Sequence, residues 1–377
     1  MVAIAGHNIY TGLGFGSRAV YDRVRAGSSG LALREGTFGV PEPFVASLFD
    51  RSAIRERFGD RDGAGTMTPL EMAMVLSAED AVRMAGIDAS SEDTIFVIST
   101  TKGNVELLEN APDGGDPRLA LWHSARTVAS RFGNPNEPVC VSNACTSGIC
   151  AQIVAKRAIE EEGYTHAVVI GADMLSRFVV SGFQCLKALS GKRCRPFDRE
   201  RDGLNLSEGV ATLVLTSTGT GIGVELEDGC IRNDANHISA PSRTAAGQTA
   251  AIRAVMDEGR AAGLAFINLH GTATLYNDSM ESVALHQCGL DGVPAVSYKS
   301  IFGHTLGAAG VIETVISCLA LKERVVFPTP GYRECGVPYP LSLSEDFRPA
   351  AGDRFLKIMS GFGGINAATL YRRTGDE

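Results

Sequence analysis

The chain has 377 residues, 44% hydrophobic and 21% charged, enough to bury a large core and to form two domains or one duplicated fold. Its net charge of −8 is spread over interspersed acids and bases, which argues against nucleic acid as the main ligand. No run approaches the ~20 apolar residues of a membrane span, and the start MVAIAGHNIYTG has no signal character, so a cytoplasmic protein without membrane insertion is expected.

In chain order, residues 2 to 10 read as a first strand and the glycine-rich Thr11 to Ser17 as its turn. That G-x-G-x-G lacks dinucleotide spacing and predicts no cofactor. Leu48 to Asp62 gathers Arg51, Arg55, Arg57 and Arg61 ahead of a helical Pro69 to Ala85. Such a run is a solvated face or a landing patch for an acidic partner. Thr94 to Ser99 is a buried strand, Pro112 to Pro117 a loop, and Arg118 to Phe132 a helix.

Val139 to Gly163, VCVSNACTSGICAQIVAKRAIEEEG, reads as strand, sharp turn and buried helix. Cys145 sits at the turn, where free N–H groups and the helix dipole favour a thiolate. A lowered thiol pKa and a nucleophilic role follow, against the alternative of a small packed residue. The nine cysteines are scattered, and Cys140, Cys145 and Cys150 form no C-x-x-C pair, so neither zinc nor disulfides are expected.

Tyr164 to Ala172 resembles a strand buried on both faces, and strands alternating with helices at this pace indicate an α/β fold. Arg195 to Asp202, dense in both charges, reads as a paired network fixing a loop before another apolar strand. From Gly219 the alternation restarts: strands at Ile222 to Leu226, Ala265 to Leu269, Ala295 to Tyr298 and Phe355 to Met359, helices at Thr249 to Gly263, Asp278 to Cys288 and Thr305 to Lys322. The expected halves are 1–218, carrying the cysteine and cap loops, and 219–377, carrying histidine, lysine and glycine motifs. Strand ends deliver His270 and then Lys299 and His304, and ligands of open α/β sheets gather at such ends.

The motifs Asn143-Ala-Cys145-Thr-Ser-Gly148, Arg195-Pro-Phe-Asp198, Asp202-Gly203, Ser207-Glu-Gly209, His270-Gly-Thr272, Lys299-Ser-Ile-Phe-Gly-His304 and Gly361-Phe-Gly-Gly-Ile-Asn366 together resemble the β-ketoacyl synthases of the thiolase superfamily. The likeness is to the elongating Cys-His-His class of fatty-acid and type II polyketide synthesis. It implies a five-layer α-β-α-β-α fold of two similar halves, forming a homodimer or a heterodimer with a related subunit. Cys145 would carry the acyl chain, and His270 and His304 would decarboxylate malonyl carrier protein and stabilise its enolate. Lys299 would pair with Glu313, with Thr272 in support. The N–H groups of Cys145 and Phe362 would form the oxyanion hole, and the Phe362 ring would gate the acyl pocket. No metal or redox cofactor is implied.

An acidic acyl carrier protein would dock on basic residues, for which Arg51, Arg55, Arg57, Arg61, Lys192 and Arg193 are the candidates. Ser207, in place of a usual glycine, and Ile365, in place of a small or hydroxylated residue, depart from the pattern. A thiolase would carry a second cysteine in the C-terminal glycine motif, and the initiating class an asparagine where His304 stands. The non-enzymatic alternative is a chain-length factor, which usually lacks the nucleophile that Cys145 supplies.

Overall fold

The computed structural model describes residues 1–61, 64–109, 115–219 and 221–375; Pro112 to Gly114 of the expected loop lie outside them. Ten principal strands form two five-stranded halves. The first half contains β1 (Ala3–Thr11), β2 (Thr94–Ser99), β3 (Val139–Val141), β4 (His166–Asp173) and β5 (Gly209–Thr216), ordered β3-β2-β4-β5-β1. The second contains β6 (Val224–Asn233), β7 (Leu264–Asn268), β8 (Ala295–Val296), β9 (Arg354–Gly361) and β10 (Ile365–Arg373), ordered β8-β7-β9-β10-β6. Each half has a parallel trio, and its fourth strand in that order runs antiparallel to both neighbours. The two halves therefore repeat one topology. They join where Ala3 of β1 pairs with Glu225 of β6.

Helices fill the layers outside and between the sheets. Helix α1 (Pro69–Ala85) opens with a capping box between Thr68 and Glu71 and covers the outer face of the first sheet, with its own apolar cluster. Helices α2 (Ser147–Glu161) and, late in the chain, α5 (Ala309–Lys322) lie between the sheets in the largest cluster. Helices α3 (Ala246–Val255) and α4 (Leu275–Gln287) cover the second sheet. The result is the five-layer order that the motif resemblance implies. Helix α5 is buried from Ala309 to Cys318 without a break, as a helix sandwiched between two sheets must be.

Helix Pro69–Ala85 and strand Thr94–Ser99 match expectation to the residue. The single helix expected over Thr249 to Gly263 is instead two, because Met256 is extended and Asp257 caps the short helix Glu258–Ala262 through Arg260 N–H. Strand β10 was not expected. Only its first two residues, Ile365 and Asn366, fall within the glycine motif, and Ile365 to Arg372 pairs along the full length of β9. Among the described residues no helix is long and apolar enough to cross a membrane.

The central helices touch through glycine. A Cβ on Gly310 would lie 2.5 Å from Ile149 N, and one on Gly148 would lie 3.0 Å from Gly310 Cα. Overpacking of this kind costs roughly 1–3 kcal/mol, so Gly310→Ala is expected to lower the thermal midpoint by several degrees in a melting experiment, whereas Gly182→Ala, with open space around it, leaves it near the wild-type value.

Candidate active site

Cys145 occupies a tight turn between β3 and α2. The turn forces Ala144 to a left-handed φ of 49°, a strained conformation for a residue with a side chain. Local hydrogen bonds hold it there: Thr146 Oγ1 donates to Asn143 O at 2.7 Å, Ser147 Oγ to Ala144 O at 2.6 Å, and Asn143 N to Ser147 Oγ at 2.8 Å. Gly361, at the end of β9, presses on the turn so closely that a Cβ there would stand 3.2 Å from Cys145 N. The second half of the chain thus meets the nucleophile backbone to backbone.

The expected low thiol pKa is overturned. Cys145 is only 8% exposed, and burial pushes its pKa up from the ordinary 9.0, against the opposing pull of Lys299, Lys102 and the Phe362 N–H. The start of the helix supplies less than the sequence implied, since Ser147 N is already taken by Ala144 O. A terminal dipole of ~0.3–1 kcal/mol cannot offset removal of a charge from water.

His270 leaves the end of β7 on a turn pinned from behind. Its N–H donates to Glu281 Oε1 at 2.6 Å, and the Gly271 N–H to Glu281 Oε2 at 2.7 Å. His304 is held by its backbone, donating to Asn205 O and accepting from Ser207 N. Its Nδ1 accepts the Leu306 N–H at 3.2 Å, which places the ring proton on Nε2. The two rings meet edge to face at 5.3 Å. Cys145 Sγ and one nitrogen of each ring lie within 4.8 Å of one another. A thiol and two imidazoles also match the donor types of a zinc site, although the sequence spacing indicated none. Burial, and after it Lys299, lowers both histidines well below 6.5, so both rings are neutral at pH 7.

Behind the histidines lies a charged network. Glu313, on α5, accepts from Lys299 Nζ through one oxygen and from Lys357 Nζ through the other. The Lys299–Glu313 pair is the one implied by the motif resemblance. Lys357 was missed, because FLKIM reads as an apolar strand in which a single lysine carries no motif. Asp173 was missed as well: it ends β4 and accepts from Thr100 Oγ1 at 2.9 Å and Gly307 N at 2.6 Å, tying the first half to the loop after His304.

Two cavities meet at Cys145. One, of about 340 Å³, holds His270, His304, Thr272 and Thr274, whose hydroxyls share a 2.9 Å hydrogen bond. The other, of about 630 Å³, is lined mostly by apolar residues such as Val105, Leu108, Phe178 and Leu306, with Lys102 among them. Phe362 lines both and stacks on Phe183 at 6.1 Å. Ser207 and Ile365 line neither.

Comparison with known proteins agrees with this geometry. The model of the β-ketoacyl synthase N-terminal domain matches residues 44–220, and that of the C-terminal domain matches residues 224–333. The ketoacyl synthase alpha subunit of the tetracenomycin polyketide synthase of Streptomyces glaucescens is 30% identical over 420 residues, covering 99% of this chain and 97% of that protein. The chain belongs to the β-ketoacyl synthase family. The 3-oxoacyl-[acyl-carrier-protein] synthase 2 of Vibrio cholerae is 28% identical over 342 residues, covering 82% of this chain and 80% of its own. A Xenorhabdus doucetiae ketosynthase, solved in complex with its chain length factor, shares the fold at a TM-score of 0.87 and 23% identity, covering 99% of this chain and 98% of that one.

In this β-ketoacyl synthase the candidate docking cations divide. Arg51 is not free: it grips the fully buried Glu208 at 2.8 and 3.0 Å and donates to Leu175 O. Glu208 in turn accepts from Phe49 N and Leu175 N, so the pair fastens three segments. Arg61 pairs with Glu79 at 3.3 Å, Arg193 donates to Ser300 O at 2.5 Å, and Arg57 lies over the Phe15 ring. Arg55 and Lys192 are exposed. The charged run at Arg195 to Asp202 is the structural network expected: Arg199 pairs with Glu334, and Asp198 accepts from Arg333 N and Glu334 N. Stripping a buried carboxylate of its partner is costly, so Arg51→Ala is expected to destabilise the fold by roughly 2–3 kcal/mol. Arg55→Ala should stay within about 0.5 kcal/mol, as denaturant unfolding of the two variants will read.

Proposed function

We propose that this β-ketoacyl synthase condenses an acyl group held on Cys145 with malonyl carried by an acyl carrier protein. The observation that carries the reading is the meeting of one thiol and two neutral imidazoles where two cavities join. Cys145 first takes the acyl group as a thioester, releasing the donor carrier's thiol. His304, with its proton on Nε2, and His270 hold the malonyl thioester carbonyl while the carbon–carboxylate bond breaks. Carbon dioxide leaves and the electron pair remains as the enolate. The enolate carbon attacks the acyl carbonyl, the bond to Cys145 Sγ breaks, and the product is a β-ketoacyl carrier two carbons longer.

Neutral imidazoles suit this task, because a donor N–H stabilises an enolate oxygen without protonating its carbon. The Cys145 and Phe362 N–H groups serve the tetrahedral oxyanion, and one such donor is typically worth about 3–4 kcal/mol. The larger, apolar cavity suits the acyl tail and the histidine-lined one the malonyl arm, with the Phe362 ring between them. Lys299 and Glu313 sit behind the rings, and Thr272 with Thr274 offers hydroxyls to the arm. An acidic carrier would meet the exposed Arg55, Arg57 and Lys192. We take the chain as a cytoplasmic enzyme of two domains, 1–218 and 219–377, working as a homodimer or beside a related subunit, as the Xenorhabdus ketosynthase does beside its chain length factor. The non-condensing alternative loses ground because Cys145 is present and lies against both histidines.

Intact-mass measurement after incubation with a panel of acyl carrier thioesters should give a mass gain that Cys145→Ala abolishes. His270→Ala and His304→Ala should still acylate while carbon dioxide release falls on the order of 100- to 1,000-fold. No gain from any donor, together with no carbon dioxide, would reject condensation. Because both imidazoles sit well below 6.5, protonation sets in only under more acidic conditions than usual. Carbon dioxide release by Cys145→Ala is therefore expected to hold its rate from about pH 8 to about pH 6; a limb centred on the ordinary imidazole value would contradict neutral rings.

A further inference from the structure

Lys357 lies in the middle of β9, opposite Asn268 of β7, and is fully buried. Its Nζ donates to Asn268 Oδ1 at 2.9 Å, to Leu269 O at 3.3 Å and to Glu313 Oε2. An ammonium so deep is costly, and burial drives its pKa down to about 8. The neighbouring inward positions, Phe355 and Met359, are apolar, and an aliphatic side chain of the same length would fill the site without that cost. The contacts indicate what the charge is for. Leu269 O is the carbonyl immediately before His270, and the Glu313 carboxylate is the group that holds Lys299.

We propose that Lys357 is a positioning residue for the histidine half of the reaction, a fixed cation that ties the backbone before His270 to the carboxylate seating Lys299. It touches neither Cys145 nor either cavity. Removing it should therefore disturb decarboxylation and leave thioester formation alone. This inference rests on the condensing reading above, in which those two partial reactions are separate and separately measurable.

Lys357→Met and Lys357→Gln, in the full chain, test it. Acylation of Cys145 is read by intact mass, and carbon dioxide release from malonyl carrier protein by its kcat and KM. Small misplacement of a catalytic group costs on the order of 100-fold, so kcat for carbon dioxide release is expected to fall by about that factor in the methionine variant. KM and the acylation rate should hold. The glutamine variant, which keeps one donor for Asn268 Oδ1, should lose less. Parallel loss of both partial reactions, loss of neither, or failure of both variants to fold would overturn the assignment in favour of a purely structural lysine. A wild-type protein that neither acylates nor releases carbon dioxide would instead remove the condensing reading, and the proposal with it.

Discussion

The crossing of the two central helices is the constraint on which the site depends. Helix α2 starts just after Cys145, and the turn leading into α5 starts just after His304. They approach so closely that a Cβ on Gly148 would stand 2.9 Å from Gly307 O. Only glycine permits that approach. The crossing sets by backbone contact the separation of the two turns that carry the Cys145 sulfur and the His304 imidazole. Asp173 reinforces it by accepting Gly307 N–H from the far side, and Gly361 closes it from the second sheet. A nucleophile held in this way pays little to reach a reactive geometry, since the ordering is completed on folding.

Burial then sets the electrostatics. The same exclusion of water that raises the Cys145 thiol lowers His270 and His304. The resting site therefore holds a protonated thiol beside neutral rings, one of them with its donor N–H directed by the Leu306 contact. Neutral groups can be buried cheaply; the charges that a condensing site also needs cannot. Here they are collected one layer back, as two lysines sharing Glu313. Removing Glu313 would leave both lysines uncompensated, whereas removing either lysine leaves one ion pair in place. The network reaches the turn carrying His270 through the Lys357 hydrogen bond to Leu269 O.

The charge at the surface follows a similar division. Arginines that the sequence grouped into one basic run separate in space, because the helix Arg51–Phe58 turns one of them inward to Glu208 and leaves Arg55 in solvent. The dense run around Arg199 reads as a paired network from its alternating acids and bases, yet within it Arg195 pairs with Glu200, whereas Arg199 finds its partner in Glu334, 135 positions away.

Much of this protein was legible in one dimension. Strand and helix periodicity gave the alternating layers, the repeat of the alternation gave two similar halves, and Cys145, His270 and the pair Lys299 and His304 stood out in three motifs, each following a strand. These features are local, and local chemistry is written in neighbouring residues. Three others were decided by the tertiary structure. The thiol pKa depends on how much protein covers Cys145. The part played by Lys357 depends on Asn268 lying across the sheet from it, 89 positions away in sequence. Strand β10 depends on its pairing with β9. Solvent exclusion and cross-strand pairing are properties of what packs against a residue, and no spacing along the chain records that.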